Sequence, residues 1–131
     1  MQSVRLGFAA LAWMYLALVV FQVFLAGAGI FRAASFQNHI EVGYFLAFFG
    51  PLIVLVAAGL ARAGRLVGLS ALLLLLGVVQ SILPWLRTDA PYLAALHPVN
   101  ALVIAFLALT IARGATTLAR ATDSAAAPQA S

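Results

Sequence analysis

The sequence has no cysteine and no lysine, and its only acidic residues are Glu41, Asp89 and Asp123. Without cysteine there is no disulfide, no cysteine-ligated zinc and no iron–sulfur cluster. Charged residues make up only 8% of the 131 positions, against 66% hydrophobic ones. Soluble domains carry about one-quarter charged residues and under half apolar ones, and a chain this short has too much surface for its volume to hide such an excess. An ordinary cytosolic enzyme, a disordered chain and a collagen-like fibre are therefore excluded. All seven basic residues are arginine, and the formal net charge is +4. In so apolar a chain that charge speaks of membrane topology, with the lipid bilayer as partner, and not of nucleic acid. The length allows one small bundle.

What the chain does have is four long apolar stretches: Leu6 to Ile30, Gln37 to Leu60, Leu66 to Leu86 with an unbroken leucine run from Leu72 to Leu76, and Tyr92 to Ala112. Each is about 20–25 residues, enough at about 1.5 Å per residue to cross a roughly 30 Å hydrocarbon layer. They are expected as helices, because lone strands would leave backbone groups unpaired in lipid. The fold class is thus an all-α membrane protein, a four-transmembrane-helix bundle over residues 1–122 with a disordered tail over 123–131. The first apolar run is too long for a cleaved signal core. Ser35 is expected to cap the second helix, Ala61 to Arg65 to form a tight turn, and Asp89 to cap the fourth helix ahead of Pro91. Arg5, Arg62, Arg65, Arg113 and Arg120 fall on one side, with Arg32 and Arg87 on the other. That imbalance favours the cytoplasmic (inner) membrane with both termini in the cytoplasm.

Sliding the sequence by 58 positions places Gln22 on Gln80, His39 on His97, and Leu60-Ala61-Arg62 on Leu118-Ala119-Arg120. The chain reads as two copies of a helical hairpin, about 1–62 and 63–120, related by an axis along the membrane normal. Matched alanines and leucines are cheap in this composition, but these are the only two histidines. Counted from the outer turns, Gln80 and His97 lie roughly 9 Å deep, and Gln22 and His39 come out at a similar depth. The four side chains can thus form one polar layer. In a four-helix bundle the histidines can face each other across a diagonal, a gap that suits haem b held by two axial imidazoles. Gly43 and Ala101, one turn beyond the histidines, are small enough to clear a porphyrin. Gln22 and Gln80 can orient the imidazoles by accepting their second N–H, and Arg32 and Arg87 can pair with propionates. Pro98 frees the carbonyl of Ala94 and bends the axis beside His97.

Gln22 with Leu25-Ala26-Gly27, followed by His39 at the start of a second span, resembles one hairpin of the haem A synthase-like membrane proteins. Together with Leu96-His97-Pro98-Val99-Asn100-Ala101, the chain also resembles a family of uncharacterised four-span bacterial membrane proteins. The first resemblance implies haem b held between histidines on alternate helices. The synthase pattern has an acid three positions before its first histidine and an arginine just after it. This chain has Phe36 and Ile40 there, so only the ligand role of His39 and His97 carries over.

The resulting expectation is haem b bound between His39 and His97, serving electron transfer, haem handling or sensing, with quinone or a redox protein as electron partner. No nucleophile–base pair is visible, so the reading leans away from an enzyme. Two alternatives stay open. The first is a cofactor-free accessory subunit, in which the glutamines and histidines only fix helix register, at roughly 1 kcal/mol per contact. The second is a module that holds a quinone or lipid headgroup. Trp85 is expected as an interface anchor.

Overall fold

The computed structural model describes residues 1–126, with side chains through Ala121. Its helices are α1 (Gln2–Ile30), α2 (Phe36–Leu60), α3 (Arg65–Ile82), α4 (Pro91–Ala94) and α5 (Leu96–Ala126), with a 3₁₀ turn over Leu83–Arg87 between α3 and α4. Four segments are long and apolar enough to cross a membrane: Gln2–Ile30, Phe36–Leu60, Arg65–Arg87 and Pro91–Ala121. The chain is therefore a multi-pass membrane protein, all-helical among the described residues. α1 packs on α2 and α5, and α3 packs on the same two, so the helices form a square with α2 and α5 on one diagonal. The start of α1 and the end of α5 lie at one end; the loop after α1 and the turn before α5 lie at the other, called the far end below.

The bundle is apolar outside as well as inside. Leu102 and Phe106 are more than 70% exposed, which is tolerable only against lipid. The tightly packed core lies toward the terminal end, where Phe8, Ala12, Val54, Ala58, Leu73, Ile111 and Ala115 are buried. Many of these are alanines, and small residues let helices in lipid approach closely enough to gain dispersion contacts.

The helix ends follow local chemistry. The Ser35 hydroxyl accepts a hydrogen bond from the Gln37 N–H at 3.2 Å, capping α2. Ser35→Ala is expected to cost about 1 kcal/mol, read as a lower midpoint in detergent unfolding followed by circular dichroism. α1 and α2 both end in a left-handed residue, Arg32 (φ 60°) and Arg62 (φ 51°). In each case the next residue's N–H reaches back to a carbonyl of the last turn, Ala33 to Ala28 and Ala63 to Ala58. This closing turn usually takes glycine; here the cationic side chain at the negative helix end offsets part of the backbone strain. Asp89 does not cap the fourth span. Ala90 occupies that position with no side-chain cap, which leaves the carboxylate one residue too early to reach the first-turn N–H groups. The span is also interrupted at Ala95, four residues after Pro91 and three before Pro98, where a proline without an N–H leaves the Ala94 carbonyl without its helical donor.

Two further prolines shape the interior. Pro51, fully buried in α2, has no N–H to give the Ala47 carbonyl. That carbonyl faces Gly77 of α3, where a Cβ would fall almost on the oxygen. The two helices thus meet backbone to backbone, with a Cα–H facing a freed carbonyl. Pro84 likewise cannot donate to the Gln80 carbonyl, and α3 gives way to the 3₁₀ turn at Leu83. α5 continues to Ala126, so the segment expected as a tail begins as helix; residues 127–131 lie outside the described residues.

Candidate functional site: a glutamine–histidine layer

Each of the four long helices contributes one residue to a polar layer in the far half of the bundle: Gln22 from α1, His39 from α2, Gln80 from α3 and His97 from α5. All four are half-buried. His39 Nδ1 lies 3.1 Å from the main-chain oxygen of Gln22, and His97 Nδ1 lies 3.1 Å from the main-chain oxygen of Gln80. A carbonyl can only accept, so Nδ1 carries the proton in His97, where Nε2 in turn faces an amide nitrogen. The Gln22 carbonyl favours the same tautomer in His39, although the Gln22 amide nitrogen also approaches that Nδ1. The acceptor facing each imidazole is thus a glutamine main-chain oxygen, not the side-chain amide oxygen expected from the sequence. For Gln80 that acceptor is the carbonyl released by Pro84.

The two rings come from diagonal helices and meet at the bundle axis, with centroids 6.3 Å apart and planes at 81°. Phe36 lies beside His39 at 5.1 Å between centroids. The two halves of the layer then diverge. On the α3–α5 side, the Gln80 amide nitrogen sits 3.2 Å from His97 Nε2. The Gln80 amide oxygen accepts from Asn100 Nδ2 at 2.7 Å, which also donates to the Leu76 carbonyl at 3.0 Å. That half is closed by hydrogen bonds. On the α1–α2 side, the Gln22 amide nitrogen donates to the His39 carbonyl and lies 3.0 Å from Nδ1. The Gln22 amide oxygen is buried without a partner, and His39 Nε2 has no hydrogen bond among the described residues. That half is open.

The other residues singled out in the sequence are placed as follows. The space beside Gly43 is taken by the Gln22 amide, which a Cβ there would strike. Its smallness therefore admits a glutamine in this structure, not the porphyrin edge assigned to it from the sequence. Ala101 is half-buried one turn beyond His97. Arg32 and Arg87 are exposed at the far end and do not enter the layer; Arg87 reaches the Pro84 carbonyl at 3.5 Å. Glu41 bonds Gln37 on the surface, and no cluster of three metal-ligating side chains occurs among the described residues. Trp85 donates from its indole to the Tyr44 hydroxyl, both exposed, in keeping with its place at a membrane boundary. Asn100 was missed as a site residue. It lies three residues after His97, on the same helical face, and it is the only asparagine within the fourth span, a signal that was available.

The chain belongs to a family of unknown function, DUF6220, whose model matches residues 22–87, half of the chain. The matched segment holds Gln22, His39 and Gln80 and stops short of His97. Neither a curated protein nor a solved structure matches the chain.

Proposed function

We propose that this membrane protein binds one haem b between His39 and His97, in the service of one-electron transfer, haem handling or sensing. The carrying observation is the meeting of the two imidazoles at 6.3 Å across the α2–α5 diagonal, each with Nδ1 on a main-chain carbonyl. An imidazole nitrogen sits roughly 1 Å from its ring centre and a metal–nitrogen bond is about 2 Å, so two rings sharing one ion have centres about 6 Å apart. The Nδ1 bonds leave Nε2, the usual ligating nitrogen, unengaged at His39, whereas at His97 the Gln80 amide lies on Nε2 at 3.2 Å and would have to give way to iron; an N–H held by a carbonyl raises ligand basicity. The donor set fits a six-coordinate iron and is too small for a mononuclear zinc site. The likeness of the first hairpin to the haem A synthase-like proteins, the match between the two halves and the lone occurrence of the two histidines support the same reading. Haem would supply a one-electron couple; the protein supplies two neutral ligands, their orientation and an apolar surround that tunes the potential. The arginine imbalance supports the cytoplasmic membrane, with termini inside and the histidine layer toward the outer face.

The test is a visible spectrum of protein produced with haem supplied and purified in detergent. A sharp Soret band that shifts on reduction, and that is lost in both His39→Ala and His97→Ala, supports the proposal. A colourless protein with full helical content, or a band kept in both variants, overturns it. A second reading is favoured by one observation, the buried Gln22 oxygen without a donor. A hydroquinone hydroxyl would supply that donor. In that case quinol copurifies with a colourless protein and is lost in Gln22→Leu.

A further inference from the structure

At the opposite end of the bundle, α1 and α5 enclose a groove of about 530 Å³ lined by Trp13, Arg113, Thr116, Thr117 and Arg120. The four α5 residues fall at i, i+3, i+4 and i+7, so they occupy one face of the helix. We propose that this groove binds the phosphate headgroup of an anionic phospholipid. The proposal is independent of the histidine layer.

The chemistry of the lining points to an anion. Thr116 and Thr117 donate their hydroxyl protons to the Ala112 and Arg113 carbonyls at 2.9 and 3.1 Å. Thr116 Oγ1 in turn accepts from Trp13 Nε1 at 3.0 Å. The indole is thereby pinned along the groove wall by its polar edge while its body stays 42% exposed. The charged groups lining the groove are the two guanidiniums, about 10 Å apart along the helix axis. The Arg113 guanidinium makes no hydrogen bond or ion pair among the described residues. Both side chains are long enough to converge on one phosphate, which a guanidinium binds with paired N–H donors. Charge at this end is one-sided: Arg5, Arg62, Arg65, Arg113 and Arg120 share it with a single acid, Asp123.

A lipid is favoured over free phosphate by position. The groove opens on the outer face of the bundle, beside an exposed tryptophan, on segments that cross the bilayer. Basic pockets between transmembrane helices hold anionic headgroups for this reason, and the exposed body of the pinned indole offers the adjoining acyl chain an apolar surface.

The full-length protein is analysed by native mass spectrometry after equilibration in micelles with equal phosphatidylglycerol and phosphatidylcholine. The expected result is phosphatidylglycerol retained about tenfold over phosphatidylcholine. That preference should vanish in Arg113→Gln/Arg120→Gln, persist in Arg62→Gln, and resist millimolar inorganic phosphate. A second readout needs no arginine variant. In Trp85→Phe, Trp13 is the only tryptophan, and its fluorescence is expected to be quenched by headgroup-labelled phosphatidylglycerol at least about threefold more than by labelled phosphatidylcholine. Equal retention of the two lipids, a preference that survives the double substitution, displacement by inorganic phosphate, or equal quenching would each overturn the proposal.

Discussion

Gly77→Val is expected to remove more than about 3 kcal/mol of stability, enough to leave little folded bundle in detergent. The added Cβ would land on the Ala47 carbonyl, and the next atom within reach is the Pro51 ring at 3.3 Å. Both belong to a buried stretch of α2, where Pro51 is fully enclosed. Neither can swing aside as a flexible side chain would, so α2 and α3 must separate. Gly77→Ala should cost about 2 kcal/mol on the same grounds. Gly68 is an internal control on the same helix, because a Cβ there meets nothing within 4 Å. Gly68→Ala should be neutral or slightly stabilising, since alanine is the better helix former. Unfolding in mixed micelles with increasing dodecyl sulfate measures all three. Equal midpoints for Gly77→Ala and Gly68→Ala would refute the backbone contact as a source of stability.

That contact shows where the sequence was legible and where it was not. The four spans could be read because lipid demands about twenty apolar residues per crossing, and no other fold of so short a chain satisfies that demand. Alternating helix direction and short connections left His39 and His97 on either adjacent or diagonal helices, and the packing of α1 and α3 between α2 and α5 makes it the diagonal. The Ser35 cap followed from the position of a hydroxyl just before an apolar run. The closed hydrogen-bond chain from His97 through Gln80 to Asn100 was less accessible, because its offset partner, Val42, is apolar and comparison of the two halves drew attention away from it. The carbonyls were harder still. Sequence patterns speak of side chains, whereas Ala47 and Gln80 act through main-chain oxygens. Each has a proline four residues on, Pro51 and Pro84. In both cases the missing N–H turns an intrahelical acceptor into an interhelical one. Read with that rule, Gln80-x-x-x-Pro84 would have identified the atom that holds His97. Asp89 was misjudged because the fourth span starts with one separate turn, set off from α5 by the break ahead of Pro98.

The same carbonyl logic makes the two histidines unequal in the protein without cofactor, although haem would need both. If haem is held as proposed, His39→Ala and His97→Ala should each lower apparent affinity by about 100-fold or more, since either removes one of the two nitrogens that would hold it. Without haem, His97→Ala should cost about 2 kcal/mol. It strands the Gln80 carbonyl, for which Pro84 has no N–H, and an amide donor of Gln80 as well, and buried polar groups left unpaired carry most of the cost of such a loss. His39→Ala should cost under about 1 kcal/mol. The Gln22 carbonyl keeps a helical donor in the N–H of Ala26, and the Gln22 amide keeps the His39 main-chain oxygen, which alanine also supplies. Pro84→Ala links the two effects. It restores a donor to Gln80, so in that background the penalty for His97→Ala should fall by about half, while haem affinity falls because the imidazole now competes for its carbonyl. Dodecyl sulfate titrations of the haem-free single and double variants give the two stability differences, and haem titration gives the affinities. Equal costs for the two alanine variants, or a Pro84→Ala background that leaves the His97 penalty intact, would show that the freed carbonyl does not hold the ring.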